Sequence, residues 1–357
     1  MPRAITATER AFIARMPKAE LHVHLEGSVH PETLLDLGRQ HGIDYPFTDL
    51  AGAREWFQFR DFPHFIEIYI AIKRALRTAD DYARITRELA AEAARQNTQY
   101  LEVTFSPGAP SVPAPAVPGD VILAGMREGA RDALREHGVR LQFICDPVRS
   151  RTPEDVLTIA RWCVDNLGDG LIGFGLGGQE VDYPPSLYAD AFELARRGGA
   201  RLTLHAGETV GPESVRAALA AGSERIGHGV RSIEDPALVA ELAARQIVLE
   251  ISPTSNLCLG VYPNYAAHPF RALYEAGVPV TVNSDDPPMF NTTLTDEYLA
   301  LAEHFNFTLD ELAAFSLRAV DAAFLPDEER ESLANRFRGE LDNLRAEIVT
   351  EDRRLKE

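Results

Sequence analysis

The sequence contains few cysteines and no long apolar run, and each shortage excludes a class of protein. Cys145, Cys163 and Cys258 stand far apart without C-x-x-C spacing, which argues against a disulfide framework or a thiolate zinc site. No stretch reaches membrane-spanning length, and residues 1–20 lack the apolar segment of a signal peptide. These absences predict a cytoplasmic protein with no membrane partner.

Basic residues are also in short supply. The chain has 36 lysines and arginines against 54 aspartates and glutamates, a formal net charge of −18. Nucleic-acid binding normally needs a basic face, so this balance argues against such a partner and favours a small-molecule substrate. The hydrophobic fraction of 45% is ordinary for a globular protein and allows a large core.

Short apolar runs alternate with helical stretches along the chain. The strand-like runs are 19–25, 98–105, 140–146, 170–176, 200–206, 224–229, 246–252 and 278–286. The helical stretches between them are 81–96, 154–167, 187–197, 213–221, 236–244 and 267–276, and several have proline near the first turn, at Pro153, Pro212, Pro236 and Pro269. Alternating strands and helices predict parallel pairing, and eight units predict an α/β fold, a (β/α)8 TIM-type barrel.

Two regions lie outside this repeat. Residues 43–80 form an aromatic-rich insertion after the first strand, which we expect to be helical, and residues 308–357 read as added helices. Thr308 and Glu311 have the spacing of a capping box. The proline-rich stretch 106–120 is typical of a loop, so residues 1–357 are predicted to form a single domain.

Polar residues follow the strand-like runs at positions suited to a metal. His22 and His24 point to the same face of a strand, although an isolated H-x-H pair is more often structural. His205 ends the fifth run, and Asp285 ends the eighth. Because the carboxyl ends of barrel strands converge on one mouth, His22, His24, His205 and Asp285 are predicted to bind one metal ion per chain. Zinc favours such nitrogen and oxygen ligands.

Other polar residues at the same ends suit proton transfer and substrate binding. Glu208 follows His205 by three residues and could act as a proton donor, while His228 and Asp286 could orient water or bind substrate. The glycines of GLGGQE (175–180) would allow a close approach of substrate to the backbone, although tight packing is the more common reason for such a turn. SPTSN (252–256) reads as a polar turn that either reverses the chain or shapes the rim of the cleft.

Five ordered motifs carry a resemblance to a known family. PKAELHVHLEGS, HAGE, GHG, SPTSN and NSDDPPMF, spread from about residue 16 to the end, resemble the adenosine deaminase family of the amidohydrolase superfamily. The resemblance implies a (β/α)8 barrel with zinc bound by His22, His24, His205 and Asp285.

The resemblance also implies roles for individual residues. Glu208 would protonate ring N1, and His228 would handle the hydroxide that attacks C6. Asp286 would hydrogen-bond N7, and the backbone amide of Gly178 would bind N3. His24 would also lie against the substrate. Ammonia then leaves, and the 6-aminopurine becomes its 6-oxo form.

Departures from the family pattern bear on the substrate. Members that act on adenosine commonly have Asp and Thr where this chain has Glu26 and Ser284, whereas members that act on adenine share Glu and Ser but continue with Ala-Tyr-Phe in place of residues 288–290. The chain looks more similar to bacterial members that accept adenosine and 6-aminodeoxyfutalosine, a menaquinone precursor. We therefore expect a purine nucleoside substrate, with adenine as the alternative. The sequence does not specify an oligomeric state or the metal used in the cell.

The insertion carries a candidate lid. Phe65, Ile66 and Tyr69 share one helical face, which in isolation is more often ordinary core. In enzymes of the family the corresponding helices cover the substrate, so these residues are expected to lie over the purine. Glu26 is placed beneath them to accept a hydrogen bond from a ribose hydroxyl.

Three other functions fit the sequence less well. A binuclear amidohydrolase usually needs a lysine at the fourth strand, and GLIGFGLGG has none. A cytidine-deaminase-type site requires P-C-x-x-C, which is absent. A non-catalytic metal or nucleoside binder would not need Glu208 and His228 beside a metal.

Overall fold

Eight parallel strands form one sheet in which each strand pairs with the next along the chain. The computed structural model describes residues 3–108 and 117–354. The strands are β1 Lys18–His24, β2 Thr98–Phe105, β3 Arg140–Cys145, β4 Leu171–Phe174, β5 Arg201–Ala206, β6 Arg225–His228, β7 Val248–Ile251 and β8 Val280–Val282. All eight predicted strands are present, and the predicted TIM-type barrel is confirmed.

The barrel closes between β8 and β1 beside two of the predicted metal ligands. Val23 and Asp285 form a parallel bridge. The backbone N–H of His24 donates to the carbonyl of Asp285 at 2.9 Å, and the N–H of Asp285 donates to the carbonyl of His22 at 3.2 Å. Closure of the barrel therefore brings the first and last strand ends together.

Helices surround the barrel and alternate with its strands from β2 onward. They are α6 Gly119–His137, α7 Pro153–Asp165, α8 Ala189–Arg197, α9 Pro212–Ala220, α10 Pro236–Arg245, α11 Pro253–Cys258 and α12 Phe270–Glu275, with 3₁₀ turns at Pro185–Tyr188, Val230–Glu234 and Tyr265–Ala267. Proline occupies the first helical position at Pro153, Pro212 and Pro236, as predicted, whereas Pro269 is the residue before α12.

The segment between β1 and β2 is helical. A 3₁₀ turn at Glu26–Ser28 precedes α2 Pro31–His41, α3 Leu50–Trp56, α4 Phe62–Ala75 and α5 Ala79–Arg95, and α1 Ala7–Arg15 lies before the barrel. Asp49, Asp61 and Thr78 cap the amino termini of α3, α4 and α5 with side-chain hydrogen bonds. Helices α3 and α4 lie within the predicted insertion of 43–80.

Four added helices follow β8, and the last two cover the amino-terminal end of the barrel. They are α13 Pro287–Phe290, α14 Leu294–Phe305, α15 Leu309–Ala322 and α16 Asp327–Arg354. The predicted capping box of Thr308 and Glu311 is present at α15. Val320 and Phe337 pack with Ala19 and Leu21 near the start of β1, so α15 and α16 close the amino-terminal end of the barrel.

The predicted loop at 106–120 needs one correction. Gly119 and Asp120 form the first turn of α6, and the carbonyl of Pro118 accepts the first hydrogen bonds of the helix from the N–H groups of Val121 (3.0 Å) and Ile122 (3.2 Å). Residues 109–116 lie outside the described residues. Within 3–108 and 117–354, no helix combines the length and the apolar character needed to cross a membrane.

Candidate active site

Four potential metal ligands converge at the carboxyl ends of the strands. The side chains of His22, His24, His205 and Asp285 each offer one nitrogen or oxygen atom, and these atoms lie within 4.8 Å of one another. His24 Nε2 and His205 Nε2 are 3.2 Å apart, and His22 Nε2 lies 3.5 Å from Oδ1 of Asp285. We call these four residues the His–Asp group.

The atoms of the His–Asp group fit a divalent metal. His22 Nε2 and Asp285 Oδ1 are buried and make no hydrogen bond within the described part of the chain. Buried polar atoms are normally satisfied, so such unpaired atoms facing one another suit a cation. Three imidazoles and one carboxylate form a donor set that zinc accepts.

Glu250 determines which nitrogen of His22 faces the His–Asp group. Its Oε2 lies 3.0 Å from Nδ1 of His22, and because a carboxylate only accepts, the proton is on Nδ1. Nε2 is thereby left free to bind a metal, as in other carboxylate–histidine pairs beside metals. Arg225 donates from Nε to Oε1 of Glu250 at 2.6 Å and also pairs with Glu102 deeper in the barrel.

Two of the converging residues adopt left-handed backbone conformations. His228 has φ of 62° and Asp285 has φ of 67°. Residues other than glycine rarely adopt such values, and they concentrate at functional sites where the surroundings hold them in place.

Glu208 and His228 lie next to the His–Asp group and carry opposite pKa shifts. Oε1 of Glu208 is 3.8 Å from Nε2 of His228, and both side chains have an atom within 4.8 Å of Asp285. Burial, with the negative charges of Asp285 and Glu180, raises the pKa of Glu208 to about 8. Burial lowers the pKa of His228 to about 4. Burial thus favours the protonated form of Glu208 and the neutral form of His228, an acid next to a base.

Glu180 holds the backbone that carries Glu208. Its carboxylate accepts hydrogen bonds from the N–H groups of Gly207 (2.7 Å), Glu208 (3.0 Å), Thr209 (2.6 Å) and Val210 (2.9 Å), and from the Ser214 hydroxyl (2.6 Å). Burial opposes the charge of Glu180, but these hydrogen bonds outweigh it and lower its pKa. The loop after β5 is thus organised around one buried anion.

Asp286 lies beside His24 at the end of β8. Its Oδ2 is 3.4 Å from Nδ1 of His24, and its Oδ1 is buried without a hydrogen bond in the described chain. Burial raises the pKa of Asp286 to about 6. A Cβ at Gly27 would stand 1.6 Å from Oδ1 of Asp286, so glycine is required there for the close approach.

The loop after β4 passes close to the end of β3. Gly178 is exposed and has φ of 85°, a conformation that favours glycine. Asp146, at the end of β3, is buried against Gly177 and lies 3.9 Å from Nδ1 of His205. Burial raises the pKa of Asp146 to about 7.

The turn predicted for SPTSN is wrong. Residues Pro253–Cys258 form helix α11, with proline in the first turn. Ser255 donates to Oδ2 of Asp285 at 2.6 Å, and the amide nitrogen of Asn256 lies 3.3 Å from Nδ1 of His228. Both side chains are buried, and through these contacts the segment contributes polar groups to the site.

The insertion contacts the same end of the barrel. The ring of Phe65 stacks on Phe290 of α13, with centroids 5.3 Å apart and an interplanar angle of 5°. Burial and the negative charges of Glu26 and Asp286 raise the pKa of Tyr69 well above its usual value. Ile66 is 38% exposed. Of the three predicted lid residues, Phe65 interacts with this end of the barrel through its stack on Phe290, and Tyr69 through the charges of Glu26 and Asp286.

Glu26 is buried and paired with a lysine from the insertion. Nζ of Lys73 donates to Oε1 of Glu26 at 2.7 Å, and the backbone N–H of Ser106 donates to the same oxygen at 3.2 Å. Oε2 of Glu26 is buried and makes no hydrogen bond in the part of the chain that the structure describes.

Several residues of the site were not identified from the sequence. They are Lys73, Asp146, Glu180 and Glu250. A signal existed for some of them, because Glu250 is the single charge inside the apolar stretch IVLEIS and Lys73 directly follows the apolar stretch IYIAI. A charge in such a position is rarely buried without a specific partner.

Comparisons with known proteins agree with this geometry. The model of the family described as adenosine deaminase matches residues 17–339. A relative from Rhizobium leguminosarum bv. trifolii, named adenine deaminase, is 41% identical over 90% of this chain and 99% of its own length. A relative from Streptomyces avermitilis, named aminodeoxyfutalosine deaminase, is 37% identical over 88% of each chain.

Two solved structures share the fold over nearly their whole length. The adenine deaminase from Arthrobacter aurescens has a TM-score of 0.85 and 28% identity, covering 92% of this chain and 98% of that one. An amidohydrolase from Burkholderia ambifaria with bound Zn has a TM-score of 0.89 and 28% identity, covering 98% and 96%.

Proposed function

The chain is a deaminase of the adenosine deaminase family, and on that basis we propose that it removes the 6-amino group of a purine nucleoside, adenosine or 6-aminodeoxyfutalosine, by zinc-dependent hydrolysis. The observation that carries the proposal is the position of Glu208 and His228, 3.8 Å apart and both within 4.8 Å of Asp285, beside four side chains suited to a metal. A deaminase needs one group to give a proton and another to take one, and environments that push two pKa values apart assign these roles.

His22, His24, His205 and Asp285 would hold one zinc ion per chain. When bound there, zinc supplies Lewis-acid chemistry that makes water a stronger nucleophile at neutral pH. Glu250 keeps Nε2 of His22 available for this role. The unpaired atoms of the His–Asp group support this assignment.

Glu208 and His228 divide the proton transfers. Glu208, whose pKa is raised by burial, donates its proton to N1 of the purine, which makes C6 more electrophilic. Neutral His228 accepts a proton from the attacking water. The water oxygen bonds to C6, His228 passes the accepted proton to the amino group, and the C6–N bond breaks to release ammonia. The proton on N1 stays in the product, and the second water proton returns to Glu208 as the 6-oxo group forms. Purine and water are thereby converted to the 6-oxo product and ammonia.

Asp286 and Gly178 orient the purine ring. N7 of a purine accepts a hydrogen bond, so Asp286 must be protonated to bind it, and burial lowers the cost of that form by raising the pKa of Asp286 to about 6. The exposed backbone of Gly178 would donate its N–H to N3. His24, with one ring edge toward Asp286, bounds the same space.

A nucleoside is favoured over the free base by residues 288–290, which depart from the Ala-Tyr-Phe of members that act on adenine. The unpaired Oε2 of Glu26 is a buried acceptor that a ribose hydroxyl would satisfy. Phe65, Ile66 and Tyr69 of α4 would cover the substrate from the side of the insertion. Adenine remains the second candidate, because the relative from Rhizobium leguminosarum bv. trifolii carries the name adenine deaminase.

Turnover of adenosine, 6-aminodeoxyfutalosine and adenine, measured side by side on one preparation of zinc-loaded protein, tests the proposal. We expect a nucleoside to have the highest kcat/KM and ammonia to appear in equal amount to the 6-oxo product. A higher kcat/KM for adenine than for either nucleoside would assign the protein to the second candidate. A protein that binds nucleosides but releases no ammonia would be a binder.

A further inference from the structure

Lys73 is a charged residue buried under the insertion, and its ammonium group has two partners. Nζ donates to Oε1 of Glu26 at 2.7 Å and to the backbone carbonyl of Ser106 at 2.7 Å. The side chain of Lys73 is 5% exposed and that of Glu26 is fully buried. A buried ion pair is stable only when its geometry is good, and these short contacts meet that condition.

The pair leaves one oxygen of Glu26 unused. Oε1 accepts from both Lys73 and the N–H of Ser106, whereas Oε2 is buried and forms no hydrogen bond within the described residues. Leaving a buried carboxylate oxygen unpaired is unfavourable, and a ligand with a hydroxyl or amine donor would relieve that cost. A purely structural tether between α4 and the barrel would have no reason to keep this oxygen free.

The unused oxygen lies in the part of the site that borders the lid. Glu26 follows His24 by two residues. Tyr69 lies one helical turn before Lys73, and the negative charges of Glu26 and Asp286 raise its pKa. Glu26 thus lies between the end of β1, which carries two of the metal ligands, and the insertion. A carboxylate in this position suits the portion of the substrate beyond the base.

We propose that Lys73 is a specificity-determining residue, which acts by fixing Glu26 so that Oε2 accepts a hydrogen bond from a sugar hydroxyl. This inference rests on the proposed nucleoside deaminase function and names the device by which the sugar is recognised. Lys73 does not touch the substrate; it positions Glu26. Removing the ammonium group would leave Glu26 free to turn and without its counter-ion, so the sugar contact would weaken while the zinc site stays intact.

The test measures how strongly the enzyme senses each sugar hydroxyl. Adenosine and its 2′-, 3′- and 5′-deoxy analogues are compared in wild-type protein and in Lys73→Met, which keeps the apolar stem. In wild type, removal of one of the three hydroxyls should lower kcat/KM by roughly 10- to 100-fold, as for a hydrogen bond to a charged group. In Lys73→Met, we expect the kcat/KM for adenosine to fall to the value for that deoxy analogue. The ratio of the kcat/KM for adenosine to that for the analogue should then be within about threefold of one.

Tyr45→Phe is the matched control. The Tyr45 hydroxyl also anchors α4, through a hydrogen bond of 3.2 Å to the carbonyl of Ala71, but it does not contact Glu26. This variant should keep the wild-type ratio. Zinc content and thermal melting are recorded for each protein. If Lys73→Met does not fold, Lys73→Gln, which keeps a donor for the Ser106 carbonyl, takes its place.

The outcomes separate the two proposals. A Lys73 variant that retains the full hydroxyl ratio of wild type would overturn the inference and make the pair a structural tether only. A wild-type enzyme that deaminates adenosine with no sensitivity to any single hydroxyl would overturn it as well. A wild-type enzyme that deaminates adenine and no nucleoside would instead refute the proposed function, and with it the sugar contact.

Discussion

Glu250 and His22 form a hydrogen bond of 3.0 Å that determines which nitrogen of the imidazole can bind a metal. Arg225 donates to the second oxygen of Glu250 and so fixes the orientation of this carboxylate. Burial opposes ionisation of Glu250, but Arg225 and His22 lower its pKa to about 2. Glu250 is therefore ionised at any pH at which the enzyme works.

The substitution Glu250→Gln should weaken zinc binding. An amide is a poorer acceptor for Nδ1 of His22, and loss of such a supporting contact typically costs 10- to 100-fold in metal affinity. Competition with a chelator of known affinity measures the change. Glu193→Gln, at a surface glutamate that is 44% exposed, should bind zinc as wild type does. Equal affinity in Glu250→Gln and wild type would show that Glu250 does not orient His22.

Metal retention should separate the ligands from the proton-transfer group. Asp285→Ala removes a ligand and should lose both zinc and activity, whereas His228→Ala should keep zinc and lose activity. Cys258→Ser should change neither, because no thiolate belongs to the His–Asp group. Elemental analysis and turnover of the same samples provide the comparison. Loss of zinc from His228→Ala would place His228 among the ligands.

Glu208→Gln should retain fold and zinc while kcat falls by roughly 10²- to 10⁴-fold, the usual contribution of general acid–base catalysis. In wild type, only protonated Glu208 can donate to N1, so kcat/KM should fall as pH rises through its pKa. That pKa is about 8, and a nearby divalent cation would lower it. The alkaline limb should therefore lie at or below about pH 8 and be absent from the residual activity of Glu208→Gln. A variant with a near-normal rate would remove Glu208 from the mechanism.

Because Phe65 of α4 stacks on Phe290, we expect α4 to contribute to substrate binding. Phe65→Ala removes an aromatic pair worth about 0.5–1.5 kcal/mol and opens the cover, so KM should rise by roughly 3- to 10-fold. Phe62→Ala, at a side chain that is 46% exposed on the same helix, serves as the control and should change KM little. Equal KM values for all three proteins would mean that α4 does not cover the substrate.

The site residues at the strand ends could be predicted from the sequence, because each of them is marked by its position relative to a nearby apolar run. Each of His24, His205 and Asp285 ends or follows a short apolar run, and parallel strands bring such ends to one mouth. These side chains converge within 4.8 Å at that mouth. The starts of α7, α9 and α10 agreed within one residue, because proline signals are local as well, whereas the predicted run 278–286 contains only the three-residue strand β8.

The supporting residues could not be predicted because their partners are distant in the sequence. Glu250 and His22 are separated by 228 positions, and Lys73 and Glu26 by 47. A buried charge reveals its role only when the fold supplies its counter-charge. Helix α11 was not predicted for a related reason. Six residues are too few to form a stable helix by propensity, so the helix depends on the contacts of Ser255 and Asn256 with the site.

Titration of metal-free protein with zinc, while deamination of adenosine is followed, tests the central claim most directly. A single site made by the His–Asp group predicts that activity rises in proportion to added zinc and stops rising at about one ion per chain. Full activity in the absence of metal, or a break at about two ions per chain, would contradict the proposed mononuclear deaminase.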